Sequence, residues 1–250
     1  MIRTSSPAPR VTLIEIDRHE RRNALDIAHL DDLHEAVVGA GATRVVVVAA
    51  VGTAFCAGAD TAAPEDGAGA YGEGFRTALY RALGAITTLP MPVLAAVQGP
   101  AIGAGTQLAL ACDLRVAGPA ARFAVPTARN GLAVDPWTVR RLGVIAGGGA
   151  SRAMLLGADT LDAGTAFSRG LVDRLAPSDT LDTALDWARE IAELAPLTLT
   201  YSKLAADRLA EPPVDDPELV EAFLACWGSE DVREARRAAA ERRPAAFHGR

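Results

Sequence analysis

Pro92-Val-Leu-Ala-Ala-Val-Gln-Gly-Pro-Ala-Ile-Gly-Ala-Gly-Thr-Gln-Leu-Ala-Leu-Ala111 decides the architecture. Val93–Val97 is an unbroken apolar run, the pattern of a strand buried on both faces, as in a parallel sheet. Gly99 to Gly105 forms a tight glycine turn, and Thr106–Ala111 opens a helix. Backbone N–H groups at a helix start point outward and attract negative charge. A strand, a Gly103-Ala-Gly105 turn and a helix invite a dinucleotide-binding reading. The third glycine of that fingerprint is missing, however: Leu108 stands there, and no Lys-Ser/Thr pair of a phosphate loop follows. Taken alone, the segment also fits a plain structural turn.

A second unit of this kind lies upstream. Val45–Val51 is apolar and mostly β-branched, again a doubly buried strand. The loop after it runs Gly52-Thr-Ala-Phe-Cys-Ala-Gly-Ala-Asp60. Gly58 permits an unusual backbone turn, and the small Ala57 and Ala59 allow a ligand to approach the main chain. Both loops follow buried strands, and in parallel sheets ligands bind at the carboxyl ends of strands. Two such loops can aim two N–H donors at one oxygen, which is an oxyanion hole.

The flanking pattern extends this to an α/β core. Residues 1–10 read as a loose polar lead, and Val11–Ile16 alternates as a half-buried strand. Asp26 caps a helix whose Leu30, Leu33 and Val37 form a stripe. Thr61–Gly74 is a loop rich in Ala, Gly and acid. Phe75–Leu89 is a helix stopped by Pro90 and Pro92, and Leu114–Ala117 is a strand. Beyond Trp137 strands nearly vanish. Ser178 is placed to cap a helix lined by Leu181, Ala184, Leu185, Ala188, Ile191 and Ala192. Leu197–Leu209, Pro217–Trp227 and Asp231–Arg242 read as further helices, with a proline-rich turn at Glu211–Pro217. The expected division is an α/β core over 1–195, carrying the site, and a helical region over 196–250 that packs on a neighbouring copy.

Composition narrows the function. The 250 residues carry a net charge of -6 and are half hydrophobic. A core of useful size is available, and the basic field of a nucleic-acid binder is absent. The Arg140–Arg141 pair and the Arg233–Arg243 stretch are local, and Glu234 and Glu241 within the second suggest a solvated helix face. Three cysteines without C-x-x-C spacing, and histidines without ligand spacing, predict neither disulfides nor a metal site. Met1–Arg10 has no apolar run of a signal peptide, and no stretch is long and apolar enough to span a bilayer. The expectation is a cytoplasmic protein.

Three groups of segments now carry a family resemblance: Glu20-Arg-Arg-Asn-Ala-Leu25, Ala54–Asp60 and Pro92–Gly105. Cys112-Asp-Leu-Arg115, Phe123–Pro126 and Gly170-Leu-Val-Asp173 add to it. The chain resembles the crotonase, or enoyl-CoA hydratase/isomerase, superfamily along nearly its whole length. That resemblance implies an α/β spiral of ββα units with a helical C-terminal region, assembled as a homotrimer or a hexamer of two trimers. It implies an acyl-CoA or enoyl-CoA ligand, with coenzyme A as part of the ligand and no separate cofactor. The oxyanion donors fall on the N–H groups of Ala59 and Ala104. Coenzyme A is expected along Arg21, Arg22, Ala24 and Leu25, and along Ala57, Ala59, Asp60, Thr61 and Ala62. Asp60 also reads as a loop-fixing side chain.

Departures from the family pattern decide the chemistry. The two glutamates that handle water and protons in the hydratases fall on Gln107 and Thr127. A glutamine amide cannot accept and return a proton, and threonine has no usable pKa; one such group is worth about 10²–10⁴ in rate. Asp135, in Gly131-Leu-Ala-Val-Asp-Pro-Trp137, matches the acid used by some isomerases of the family, but it is equally placed to cap the helix that follows. Leu132 and Trp137 are expected at the acyl pocket. Cys56 lies beside the hole without a histidine to activate it. The Gln107, Phe123–Thr127 and Gly131–Trp137 segments and the Arg242–Phe247 tail are similar to a mycobacterial subgroup that lacks both glutamates. Its members are regarded as fatty-acyl-CoA binders supporting mycolic-acid synthesis. Three functions follow: an acyl-CoA binder with little or no hydratase activity, an enzyme using Asp135 and a bound water, or a scaffold for partner enzymes of fatty-acid synthesis.

Overall fold

Strand segments Ile2–Ala8 (β1), Val11–Ile16 (β2), Val45–Ala50 (β3), Val93–Val97 (β4), Leu114–Ala117 (β6) and Arg174–Leu175 (β9) form one six-stranded sheet, ordered β1-β2-β3-β4-β6-β9. These come from a computed structural model that describes residues 1–41, 43–62, 72–210, 224 and 227–246. From β2 to β9 every pairing is parallel. The continuous valine runs have a direct cause. Val46 and Val48 face the cluster that holds Leu30, Leu33, Leu79 and Leu108, whereas Val45 and Val47 face Ala184, Leu185 and Ala188. Both faces of β3 are covered, so alternation has no polar side to show.

A second, three-stranded sheet pairs Pro100–Ile102 (β5), Arg122–Ala124 (β7) and Thr160–Asp162 (β8). The helices are Ile27–Val38 (α1), Glu73–Thr88 (α2), Ala104–Ala111 (α3), Pro136–Leu156 (α4), Ala163–Ser168 (α5), Thr180–Ala192 (α6), Pro196–Ala210 (α7) and Glu230–Glu241 (α8). Asp26 caps α1 as expected, accepting from His29 N. Together these elements make the crotonase α/β fold.

Several expectations change. The lead at 1–10 contains strand β1, antiparallel to β2 with Ile2 opposite Ile16. Its side chains are mostly exposed, so it has no burial pattern to read; backbone pairing at a sheet edge holds it. The glycine turn contains β5, and α3 begins two residues before Thr106, because Gly103 (φ +55°) turns the chain straight into the helix. Asp179, not Ser178, caps α6 by accepting from Asp182 N at 2.9 Å. A carboxylate there also meets the positive end of the helix dipole.

The arginine-rich stretch does present a solvated face, with Arg233, Arg237, Glu241, Arg242 and Arg243 exposed, but Glu234 departs from it. Glu234 is buried and accepts from Arg237, Arg243 and Ala246 N. Arg141 is buried too, donating to Leu110 O and to Asp207 at 2.7 Å. Lys203 pairs with Asp113 at 2.9 Å and fastens α7 to the core. Among the described residues no helix is long and apolar enough to cross a membrane. The Glu211–Pro217 turn, most of the Pro217–Trp227 helix, most of the Thr61–Gly74 loop, Cys226 and Phe247 lie outside the described residues.

Candidate functional site

The loops after β3 and β4 meet at Gly105. A Cβ on Gly105 would stand 2.2 Å from Cys56 O, and one on Gly58 (φ +101°) would stand 2.9 Å from Ile102 O and 3.9 Å from Ala104 N. Only glycine allows so close an approach. Cys56 N donates to Pro100 O at 3.0 Å, and Ile102 N donates back to Cys56 O at 2.9 Å. The Arg21–Leu25 segment docks on the same edge: Ala57 N donates to Arg22 O, Leu25 N to Gly58 O, and Asp60 N to Leu25 O. Three sequence-distant stretches thus form one rim.

Ala59 and Ala104 both line the cavity under this rim, and neither N–H donates a hydrogen bond among the described residues. Ala104 opens α3, so its N–H has no carbonyl within the helix. Ala59 lies between two bonded neighbours, which turns its N–H aside from the Leu25 bridge.

Side chains behind the rim hold it. Asn23 is fully buried; its Nδ2 donates to Val51 O and Ala54 O, both at 2.8 Å, and its Oδ1 accepts from Arg18 N. Arg18 donates to Ala24 O and pairs with Asp60 at 2.7 Å. Asp60 also accepts from Ala62 N. Gln98 Nε2 reaches Ala50 O and Ala54 O. The sequence motif contained Asn23 and Gln98 but nothing in their spacing marked them as clamps.

The cavity has a volume of about 170 Å³. Phe75 and Leu79 of α2, Ile102, Leu132, Val134 and Trp227 give it apolar walls. Gln107, Thr127, Tyr80, Asn130, Thr61 and Arg76 supply polar groups, and Arg76 stacks 4.2 Å over the Trp227 ring. No carboxylate or histidine lines it among the described residues.

Gln107 and Thr127 therefore stand in the cavity wall, as do Ala57, Thr61 and Leu132. Arg21 and Arg22 are exposed at the outer rim, beside the backbone of Ala24 and Leu25. Trp137 is not among the lining residues; its half-buried ring packs against the core. Trp227, from the C-terminal region of the same chain, lines the cavity instead. Phe75, Leu79 and Tyr80 were overlooked; their spacing on α2 was readable, but which wall α2 forms was not.

Asp135 is buried behind Gln107 and caps α4. Its Oδ1 accepts from Thr138 N at 3.0 Å. Its Oδ2 accepts from Thr138 Oγ1 at 2.6 Å and from Gln107 Nε2 at 2.9 Å. The same Nε2 donates to Thr138 Oγ1 at 2.8 Å. Burial first, and then the nearby charge of Asp135, push the Tyr80 phenol well above its ordinary value. Burial likewise pushes the Cys56 thiol up to about 12, so it is no nucleophile at neutral pH.

A parallel-sheet core with two glycine-built loops meeting over a largely apolar cavity defines a class, and comparison agrees with the fold. The chain belongs to the enoyl-CoA hydratase/isomerase family of the crotonase superfamily: the family model matches residues 8–250. It is similar to "Probable enoyl-CoA hydratase echA6" of Mycobacterium tuberculosis, with 43% identity over 244 residues and 97% of each chain covered. The Mycobacterium leprae protein of that name is 42% identical over 248 residues, again with 97% of each chain covered. A solved enoyl-CoA hydratase/isomerase family protein from Hyphomonas neptunium is 33% identical with a TM-score of 0.77, covering 100% of this chain and 98% of that one. A methylmalonyl-CoA decarboxylase solved with 2-nitronate-propionyl-CoA shares the fold at TM-score 0.88 and 23% identity, with the same coverage.

Proposed function

We propose that this protein binds acyl-coenzyme A thioesters, gripping the thioester oxygen between Ala59 N–H and Ala104 N–H, with little or no hydratase activity. The observation that carries it is the pairing of two free donors with a described cavity wall free of carboxylates. The donors belong to the backbone, so side-chain replacement leaves the grip intact. Proton transfer belongs to side chains, and Gln107 and Thr127 cannot perform it. Coenzyme A would lie along the Arg21–Leu25 edge, where Arg21 and Arg22 are exposed, and along the Ala57–Ala62 loop, and Leu132 would flank the acyl chain.

Hydration through Asp135 is the weaker alternative. Its carboxylate already accepts three hydrogen bonds, and the residue does not line the cavity, with Gln107 standing between. Assembly as a homotrimer or hexamer accords with the exposed Leu197, Tyr201 and Leu204 on α7. The relatives' name points the pathway toward fatty-acid metabolism.

The test is a calorimetric titration with saturated acyl-CoAs beside free coenzyme A, joined to an enoyl-CoA hydration assay. Ala104→Pro removes the free N–H at a helix position that tolerates proline. Acyl-CoA affinity is expected to fall at least fivefold, with free coenzyme A unaffected. Rapid hydration by the wild type, or unchanged acyl-CoA affinity in Ala104→Pro, would overturn the proposal.

A further inference from the structure

The large sheet has a second opening at the carboxyl ends of its strands, where parallel sheets hold ligands. It lies on the face away from the thioester cavity. There a groove of about 450 Å³ runs beneath the start of α6. Strand alternation sets its floor. Leu13, Val47 and Leu94 face α6, and so do Glu15, Ala49 and Ala96, each two residues further along its strand. Glu15 stands opposite Ala49 in register. The short side chains of Ala49 and Ala96 leave the space open.

The polar groups around this floor lack donors. Glu15 is half-buried and makes no ion pair or hydrogen bond among the described residues. Arg3, its neighbour across β1, pairs with Asp17 instead. Gln98 has a fixed amide: Nε2 donates to Ala50 O, Gly52 O and Ala54 O. The reverse orientation would set Oε1 against three carbonyl oxygens. Oε1 therefore points away from them and has no partner among the described residues. Thr180 is only 5% exposed, and its hydroxyl has no partner among the described residues either. That oxygen is not among the sealed polar atoms, and its residue lines the groove. Asp179 caps α6 through Oδ1 and adds a negative charge at the same end. Among the described residues no lysine or arginine lines the groove.

Strands β2 and β4 lie two strand spacings apart, with β3 between them, a width of about 10 Å. Charge and acceptors stand at both sides of an alanine floor. A ligand with a cationic donor at each end and methylenes between matches that arrangement. We propose that this groove binds a linear alkyl diamine. One ammonium pairs with Glu15, the other donates to Gln98 Oε1 and Thr180 Oγ1, and the methylenes lie over Ala49 and Ala96. The net charge of -6 favours the approach of such a cation. The site shares no side chain with the thioester cavity wall, so it stands whether or not acyl-CoA binds.

The experiment titrates 1,5-diaminopentane, pentylamine and 1,5-pentanediol into the full-length protein at neutral pH and constant ionic strength. Calorimetry reads the affinity, and amide chemical shifts of the wild type map the site. The diamine is expected to bind about tenfold tighter than pentylamine, the worth of one charged hydrogen bond. Shifts should concentrate at residues 49–52 and 178–181. Glu15→Gln keeps the shape without the charge and should weaken the diamine about tenfold. Thr180→Val removes the hydroxyl at equal size and should weaken it about fivefold, one net neutral hydrogen bond. Absence of saturable diamine binding, equal binding of the diol, or shifts centred elsewhere in the wild type would overturn the inference. Unchanged diamine affinity in both folded variants would overturn it as well. Where a variant does not fold, the wild-type map decides.

Discussion

Replacing Gln107 and Thr127 with glutamates should not create a hydratase, because the neighbourhood of Gln107 is built for an amide. In Gln107→Glu a carboxylate oxygen would stand where Nε2 now lies, 2.9 Å from Asp135 Oδ2. At an effective dielectric of about 20, two charges that close repel by about 6 kcal/mol. The two carboxyls would therefore share one proton well above neutral pH, as paired carboxylates do. The shared proton occupies the lone pair that general-base catalysis needs. Asp135→Asn lifts the conflict, since an asparagine amide can donate to the new carboxylate and still caps α4. The assay is loss of enoyl absorbance with crotonyl-CoA. Gln107→Glu/Thr127→Glu should remain near background. The triple variant with Asp135→Asn should gain at least tenfold over it, within the range expected for a restored acid–base group. Equal rates in the double and triple variants, with both proteins folded, would refute the electrostatic reasoning.

Four other outcomes are expected. Gly105→Ala would drive a Cβ to 2.2 Å from Cys56 O, costing about 3 kcal/mol or more; urea unfolding should show it, together with lost acyl-CoA binding. Asn23→Ala removes three hydrogen bonds, one of them fully buried, and should cost about 2–4 kcal/mol by the same measurement. Glu234 is held well below the usual glutamate range, first by Arg243, then by Ala246 N and Arg237. A depressed carboxyl stabilises above its unfolded value and is lost as pH falls through the folded one. Acid below about pH 4 should therefore loosen α8, seen as changed Trp227 emission in a Trp137→Phe/Trp187→Phe background, whereas neutral-to-alkaline pH should leave it unchanged. Cys56 and Cys112, both buried with thiols pushed up to about 12, should resist alkylation at pH 8 until the protein is denatured, as mass mapping of the labelled peptides would report.

The parallel core was readable because covering both faces of β3 and β4 leaves short unbroken runs rich in β-branched residues, bounded by glycine and proline. The two loops were readable because glycine at 58, 103 and 105 with alanine between marks close backbone approach. Strand β1 was not, since exposed edge pairing leaves no pattern in side chains. Glu234 looked solvated because charge is visible in a sequence while its burial is not.

What the sequence by itself determined is therefore the pair of glycine-built loops and the missing acids. Local chain direction follows from glycine and apolar runs, and the presence or absence of a carboxyl at 107 or 127 is a matter of composition. Only the tertiary structure decided what those positions became. Gln107, Asp135 and Thr138 are brought together from two helices, and Trp227 reaches the cavity from the far end of the chain. Hydrogen-bond direction depends on which neighbours surround an amide, and such neighbours are set by packing between distant segments. The two glycine-built loops were thus legible in one dimension, and the partners of Gln107 required three.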